Sequence, residues 1–379
     1  MTDISRGFGL AATLVFASIL APSPKANAQS TSAYVYVQID GPQGAIYGFT
    51  SSSTGKLTAI AGAPWKLSGQ IAGATASKFF TLGLDNTHDY SIGSNGAIGA
   101  SLESVPYLDY AGGNCGSGST ELNSAELDHN GKTFYILLQT SNGISGCSAV
   151  QSFNIDSQGA FDSVGETTLT GAVDTTLPSI LGAETFAYGN DQNGPVGFRH
   201  EANGALESIN FNETNPTLNG GFYTPGFPDA SATGNYVVLH LFPNGANPFQ
   251  LGSFTADSNG NLTTTNTSAN MPTSGLIGAS STFSPSGNLY VLYAGKDTQP
   301  QAGDGIEIYN FNGAAPLTLN TKLMTGTPID QVAFDSSNHM YAISKYENRL
   351  YVFTVTPTSI VSDEVWSIGG PVSMVVLSK

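Results

Sequence analysis

Charge is what this sequence has least of. Only 11% of its 379 residues are Asp, Glu, Lys or Arg, and 12 basic residues stand against 28 acidic ones. So few cations cannot build the positive surface that nucleic acid or anionic lipid demands, and they disfavour a polyanionic substrate. Cysteine is nearly absent, with Cys115 and Cys147 alone. Beyond residue 21 no apolar run approaches the roughly eighteen residues of a membrane span. Motifs that carry a mechanism are missing too: there is no Gly-x-Ser-x-Gly elbow and no His-Glu-x-x-His zinc pair. Gly131-Lys132-Thr133 has the end of a phosphate loop, but Glu126 stands where the upstream glycine is needed, and the segment reads as a hairpin turn. Asp257-Ser-Asn259-Gly-Asn261 starts like a calcium loop, yet Leu262 replaces its glycine and Ser268 its bidentate Glu, so it too reads as a turn. His200 and Glu201 are neighbours and on a strand would point to opposite faces.

The chain opens with Arg6, an apolar run from Gly7 to Ala21, the helix-breaking Pro22 and Pro24, and a small-x-small cleavage site at Ala26-Asn27-Ala28. These predict a signal peptide over 1–28 and a secreted or periplasmic mature chain over 29–379, with a retained anchor as the alternative. Asp3, Arg6 and Lys25 belong to the leader, so 10 basic and 27 acidic residues remain, a balance that favours solubility. An even cysteine count in an exported chain suggests one Cys115–Cys147 disulfide, worth roughly 3–4 kcal/mol through the unfolded state. Two buried thiols are the alternative.

What the chain has in quantity is glycine, 45 residues of it, with Ser, Thr and Asn crowding the gaps between apolar runs. That is the composition of many short strands joined by tight turns. An aromatic, a glycine six residues on and an apolar residue two further recur at Phe49–Gly55–Leu57, Phe153–Gly159–Phe161, Phe198–Gly204–Leu206 and Phe254–Gly260–Leu262. Tyr90–Gly96–Ile98 is a weaker copy, and the spacing is lost after Tyr309 and Phe353. Each glycine closes a turn where a hairpin needs positive φ. The residues flanking it can share one face of the sheet.

An aromatic-rich strand precedes each unit, clearest at Phe134-Tyr-Ile-Leu137, Leu289-Tyr-Val-Leu292 and Met340-Tyr-Ala-Ile343. Counting Tyr34 to Val37 as the first, seven such strands start roughly 45 to 55 residues apart. A four-stranded sheet at that period is the signature of a β-propeller. The first unit lacks an innermost strand, and Pro371-Val-Ser-Met-Val-Val-Leu377 is a final strand with no partner after it. The expected fold is therefore all-β: a monomeric, single-domain, seven-bladed propeller of four-stranded antiparallel blades. Its ring would close by pairing the C-terminal strand with the first blade, which removes exposed edges. An open β-solenoid is the alternative, but its rungs are usually shorter.

The Tyr-Val strands, Ile46-Tyr-Gly-Phe49, the turn at Gly55 and Leu57-Thr58 leading to Ala61-Gly-Ala-Pro64 resemble the lactonase-type seven-bladed propellers. That group includes the 6-phosphogluconolactonase, muconate-cycloisomerase-like and YVTN-repeat proteins. The resemblance covers essentially the whole mature chain, although no strand reads Tyr-Val-Thr-Asn. The Trp-Asp and Gly-Gly signatures of WD40 and kelch propellers are missing. It implies lactone hydrolysis as a class, through motifs that build blades and carry no catalytic residue over by position. Arg199 and Arg349, the only arginines after the leader, fall on third-strand positions away from the channel. An unphosphorylated lactone or related sugar derivative therefore suits the chain better than a phosphorylated one.

In a propeller, ligands meet the face where the loops entering the inner strands and leaving the second strands converge. That face is expected to receive Asp229, Asp330 and Gln331 at inner-strand starts, with Glu121 and Asn123 in the third blade. His240, directly after Tyr236-Val-Val-Leu239, should stand on the same rim, with Lys345 and Glu347 opposite. A His beside carboxylates can supply a catalytic base for water attack on a lactone, or ligands for a divalent metal. The structural alternatives are a solvated loop histidine and carboxylates that cap turns. The functional alternative is a non-catalytic propeller that binds a protein partner, a glycan or a surface polymer.

Overall fold

In the computed structural model the chain forms seven antiparallel sheets set around one central cavity. The structure describes residues 30–379 apart from 41–43, 84–85, 107–118, 129–130, 142–145, 157–160, 171–174, 192, 214–222, 244, 246–247, 297–298 and 357. The predicted signal peptide and Cys115 lie outside the described residues, as does the side chain of Cys147. No helix among the described residues is long and apolar enough to cross a membrane.

Blade 1 takes Thr31–Ile39, Ala45–Ser52 and Leu57–Ala59 as its second, third and outer strands, and Pro371–Ser378 as its inner strand. Blades 2 to 7 each run from inner to outer strand in chain order. Their inner strands are Gln70–Ala74, Ser119–Leu127, Thr176–Ile180, Tyr223–Ala230, Ser280–Phe283 and Gln331–Phe334. The seven aromatic strands are the seven second strands. They are buried on both faces, as Phe186–Asp191 and His339–Ser344 are throughout, because each blade is pressed between two others. Continuous apolar runs follow from burial on both sides.

The repeat is the hairpin between third and outer strand. Leu57 stands opposite Ser51, Leu206 opposite His200 and Leu262 opposite Ala256, in each case two residues beyond the repeat's aromatic. Side chains two apart on a strand share a face, so aromatic and leucine enter the same apolar cluster. The repeat glycine also carries a contact between blades. Tyr36, Tyr135 and Tyr188 donate their hydroxyls to the carbonyls of Gly96, Gly204 and Gly260 in the following blade, at 2.9, 3.0 and 2.8 Å. Where blade 6 loses the spacing, Gly313 still accepts a bond from Ser253 Oγ of blade 5. Blade 7 instead turns tightly, with Thr356 paired to Ser359.

Gly204 has φ 88°, and a Cβ there would lie 2.4 Å from Thr133 Oγ1. Gly204→Ala is expected to cost roughly 2–4 kcal/mol, from the left-handed backbone and the overpacking together. Gly326 has φ 78° but no atom nearer than 3.8 Å, so its alanine variant should lose only about 1–2 kcal/mol. Urea unfolding of both variants at unchanged m-value measures the difference, and equal losses would refute the packing role.

Seven buried apolar clusters fill the described interior, each at the seam between two adjacent blades. The seam between blades 7 and 1 combines Val35, Val37, Phe49 and Met374 with Tyr341, Leu350 and Val352. There Pro371–Ser378 pairs along Thr31–Ile39 from Ala33 opposite Ser378 to Ile39 opposite Pro371. The ring is closed by both ends of the described chain.

A polar network is buried in the same seam. Asp335 Oδ2 accepts from His339 Nδ1 at 2.8 Å, Tyr341 Oη at 3.0 Å and Ser32 Oγ at 3.3 Å, and Tyr341 also reaches Ser51 Oγ at 2.7 Å. The bond to Asp335 holds the imidazole of His339 above its usual value against burial, and Asp363 of the outer strand adds to the effect. Burial pushes Asp335 up, but the bonds from His339 and Tyr341 outweigh it and hold the carboxyl low. The stability from His339 is full below its unfolded value of 6.5 and is lost as pH rises through the raised folded value. That from Asp335 is present above 3.8 and lost as pH falls through the depressed one. Asp335→Asn should therefore cost most, about 3 kcal/mol, between about pH 4 and 6.5, and less on either side. Denaturant titrations across that range check it, and a cost that does not change with pH would mean an uncharged pair.

Candidate functional site

All seven inner strands line a central cavity of about 1170 Å³. Its described lining carries the carboxyls of Glu126, Asp128 and Asp229, the hydroxyls of Ser124, Ser179 and Ser281, and the rings of Phe227 and Tyr293, with no Lys or Arg. Arg199 and Arg349 lie on third strands, as expected.

Asp229 is set by a bulge. On the inner strand of blade 5, Gly226 pairs with His240 and Pro228 with Leu239, which leaves Phe227 extra. Past it, Asp229 reaches toward blade 6. Ser281 Oγ donates to its Oδ2, and Tyr290 Oη lies 2.5 Å from the same oxygen. His240 Nε2 is 3.7 Å from that oxygen and 2.9 Å from Tyr290 Oη. Burial pushes Asp229 up to about 6 despite the two hydroxyl bonds. Burial also pushes His240 down to about 3, so its ring is neutral, stacked on Phe249 at 4.7 Å. Tyr290 has one proton, which it donates in its hydrogen bond to ionised Asp229. The contact to His240 therefore requires a proton on Nε2, and the chain of bonds runs from His240 through Tyr290 to Asp229.

Glu126 stands opposite Tyr135 in blade 3. Its carboxyl is accessible to water inside the cavity, yet protein walls surround it. Desolvation first and the charge of Asp229 second push it up to about 7. Tyr293, raised by burial to about 12, also feels the fields of Asp229 and Glu126. Two carboxyls with raised pKa values thus share one lumen, where one group can act as base and the other as acid.

The structure brings Asp229 and His240 together but moves both from their expected places. Asp229 is the last residue but one of its inner strand rather than near the start. The strand runs upstream through Tyr223-Thr-Pro-Gly-Phe-Pro228, whose prolines are tolerated because an innermost strand has a free edge. His240 lies inside Tyr236–Pro243 and is 1% exposed, not on a rim or a solvated loop. Asp330 and Gln331 do stand at an inner-strand start, but their side chains are committed to structure. Asp330 Oδ2 accepts from the Lys345 amide at 2.7 Å, and the Gln331 amide clamps the Met374 backbone at 2.7 and 2.9 Å across the closing seam. Lys345 pairs with Asp40 at 3.0 Å, and Glu347 receives the Tyr351 hydroxyl. Glu121 and Asn123 belong to the inner strand of blade 3, with side chains outside the described residues.

Sequence reasoning missed Glu126, Ser281, Tyr290 and Tyr293. A signal for Glu126 existed. Glu126 and Asp229 each precede by two the residue, Asp128 or Ser231, whose amide opens the inner hairpin. The two turn sequences set aside as decoys are turns: Lys132 N donates to Asp128 Oδ1, and the Asn259 and Asn261 amides donate to Asp257 Oδ1. For a divalent ion the fit is poor. Among the described residues no three His, Cys, Asp or Glu side chains converge, and Asp229 Oδ2 already accepts two hydroxyls.

The sequence matches no protein-family model and no curated protein. The structure does have likenesses. A Bacteroides uniformis protein with a provisional assignment as a 6-phosphogluconolactonase superposes with a TM-score of 0.63 at 12% identity, over 92% of this chain and 100% of that one. The periplasmic gluconolactonase PpgL of Pseudomonas aeruginosa gives 0.62 at 12% identity, over 91% and 99%. A Lactobacillus plantarum protein gives 0.62 at 12%, over 92% and 99%. The chain shares the seven-bladed propeller fold of these proteins. Identity this low speaks for the fold alone, and the chemistry must rest on the cavity.

Proposed function

We propose that the chain is an exported hydrolase of unphosphorylated sugar lactones, acting in the central cavity. The observation that carries this reading is the pair of raised carboxyls, Asp229 and Glu126, in a cavity whose described lining has no cation. Asp229, ionised above about pH 6, takes the proton of the attacking water. Glu126, still protonated below about pH 7, gives a proton to the departing ring oxygen. The role expected of His240 passes to Asp229, because His240 is neutral and its Nε2 proton is engaged. His240 and Tyr290 position the base. The predicted leader and a neighbour whose own name places it in the periplasm support export, and the missing cations favour a neutral substrate.

A panel of lactones tests the proposal. At least one neutral sugar lactone should be hydrolysed above background, its 6-phosphorylated counterpart at least tenfold less efficiently, and no turnover of any member would refute it. One observation favours a second reading, a binding propeller without catalysis. Asp229 joins blades 5 and 6 much as Gln331 joins blades 7 and 1, so its carboxylate could serve as a clasp. In that case a sugar raises the melting temperature and is recovered unchanged.

A further inference from the structure

Phe227 is placed in a way that packing alone does not explain. It is the extra residue of the bulge, between Gly226 and Pro228, with φ 47°, a conformation rare for a bulky side chain. The residue lines the cavity and is 39% exposed, unlike most large apolar side chains among the described residues. Bulges beside active sites re-aim side chains, and backbone strain persists where the surroundings over-determine it. The surroundings do so here. The ring meets His240 at 6.0 Å and Phe242 edge-on at 6.3 Å, and His240 is stacked on Phe249 behind it. The ring is thus partly packed among aromatics and partly open to the cavity, two residues from Asp229.

A flat apolar face beside carboxylates and hydroxyls matches the two-sided chemistry of a sugar ring, which has a C–H face and a rim of hydroxyl donors. An anionic ring finds no cation in the described lining, and an alkyl lactone leaves the acceptors unused. We propose that Phe227 is the specificity platform of the cavity, stacking on the C–H face of a neutral sugar ring whose hydroxyls donate to Asp229 and Glu126. This rests on the reading of the cavity as the substrate site, and it adds which part of the substrate is recognised and by what.

The test compares D-glucono-1,5-lactone with δ-valerolactone, which has no hydroxyls, in the wild type and in Phe227→Leu, Phe227→Ala and Phe227→Trp. Leu keeps apolar bulk without a flat ring and covers the case in which Ala fails to fold. For the sugar lactone, Phe227→Leu and Phe227→Ala should raise KM tenfold or more and leave kcat within threefold, while Phe227→Trp stays near wild type. For δ-valerolactone all variants should stay within threefold. A wild-type KM for the sugar lactone in Phe227→Leu, or equal losses on both lactones, would overturn the platform and leave the hydrolase reading standing. If the wild type hydrolyses neither lactone, D-glucose serves as probe in saturation-transfer NMR. Transfer that is lost in Phe227→Leu upholds the platform although the catalytic reading has failed, and no transfer to the wild type ends both.

Discussion

Asp229→Asn should lower kcat/KM for a neutral sugar lactone by 100-fold or more, the usual loss when a positioned base is removed. The asparagine carbonyl can still accept from Ser281 and Tyr290, so melting should change little. That separates loss of the base from loss of the blade 5–6 seam. In the wild type, activity should rise with pH as Asp229 ionises near 6 and fall as Glu126 loses its proton near 7. The result is a narrow bell whose limbs belong to the coupled pair. Glu126→Gln should remove the alkaline limb and cost on the order of 100-fold. Both effects are read from initial rates between pH 4.5 and about 8.5, with background hydrolysis subtracted. An Asp229→Asn enzyme with full activity, or a flat profile in the wild type, would dismiss the carboxyl pair as catalysts and leave it as a seam.

The second large effect concerns the ring. A chain ending at Gly370 should lose cooperative unfolding altogether. It lacks the strand that pairs with Ala33 to Ile39, the Met374 side chain in the closing seam and the backbone clamped by Gln331. The strand left bare is buried over nearly its whole length in the intact ring, so it becomes an apolar edge open to any other chain. Adding a peptide of Pro371–Lys379 should restore a sigmoidal melt in proportion to its concentration, as binding linked to folding requires. A truncated chain that melts cooperatively within about 5 °C of the full one would refute closure as a condition of the fold.

The blades were legible because they repeat. Gly204 and Gly260 occupy equivalent turns, and each copy checks the others, so even the eroded blade 6 could be placed by its neighbours. The cavity has no such redundancy. Asp229 stands near the end of its strand rather than at the expected start, because Pro225, Gly226 and Pro228 look like a loop, and only the free inner edge makes them a strand. Glu126 was weighed as a failed loop glycine, since its importance depends on the field of a residue 103 positions away. His240 looked exposed because polarity usually means surface. Tyr290 and Phe249, which bury it, stand in another blade and another strand.

Closure by the two ends also sets the order of events in folding. The pairing of Ala33 with Ser378 spans nearly the whole described chain. Relative to a tight hairpin this is about six doublings of loop length, or roughly 3–4 kcal/mol of chain entropy. Blades 2 to 7 are each made of consecutive strands and can assemble locally, but blade 1 must wait until Pro371–Ser378 has been synthesised. Until then its aromatic second strand has no inner partner and invites pairing with other molecules. The yield of soluble protein should therefore depend on how quickly synthesis reaches Pro371–Ser378, and on whether a chaperone covers Thr31–Ile39 in the interval.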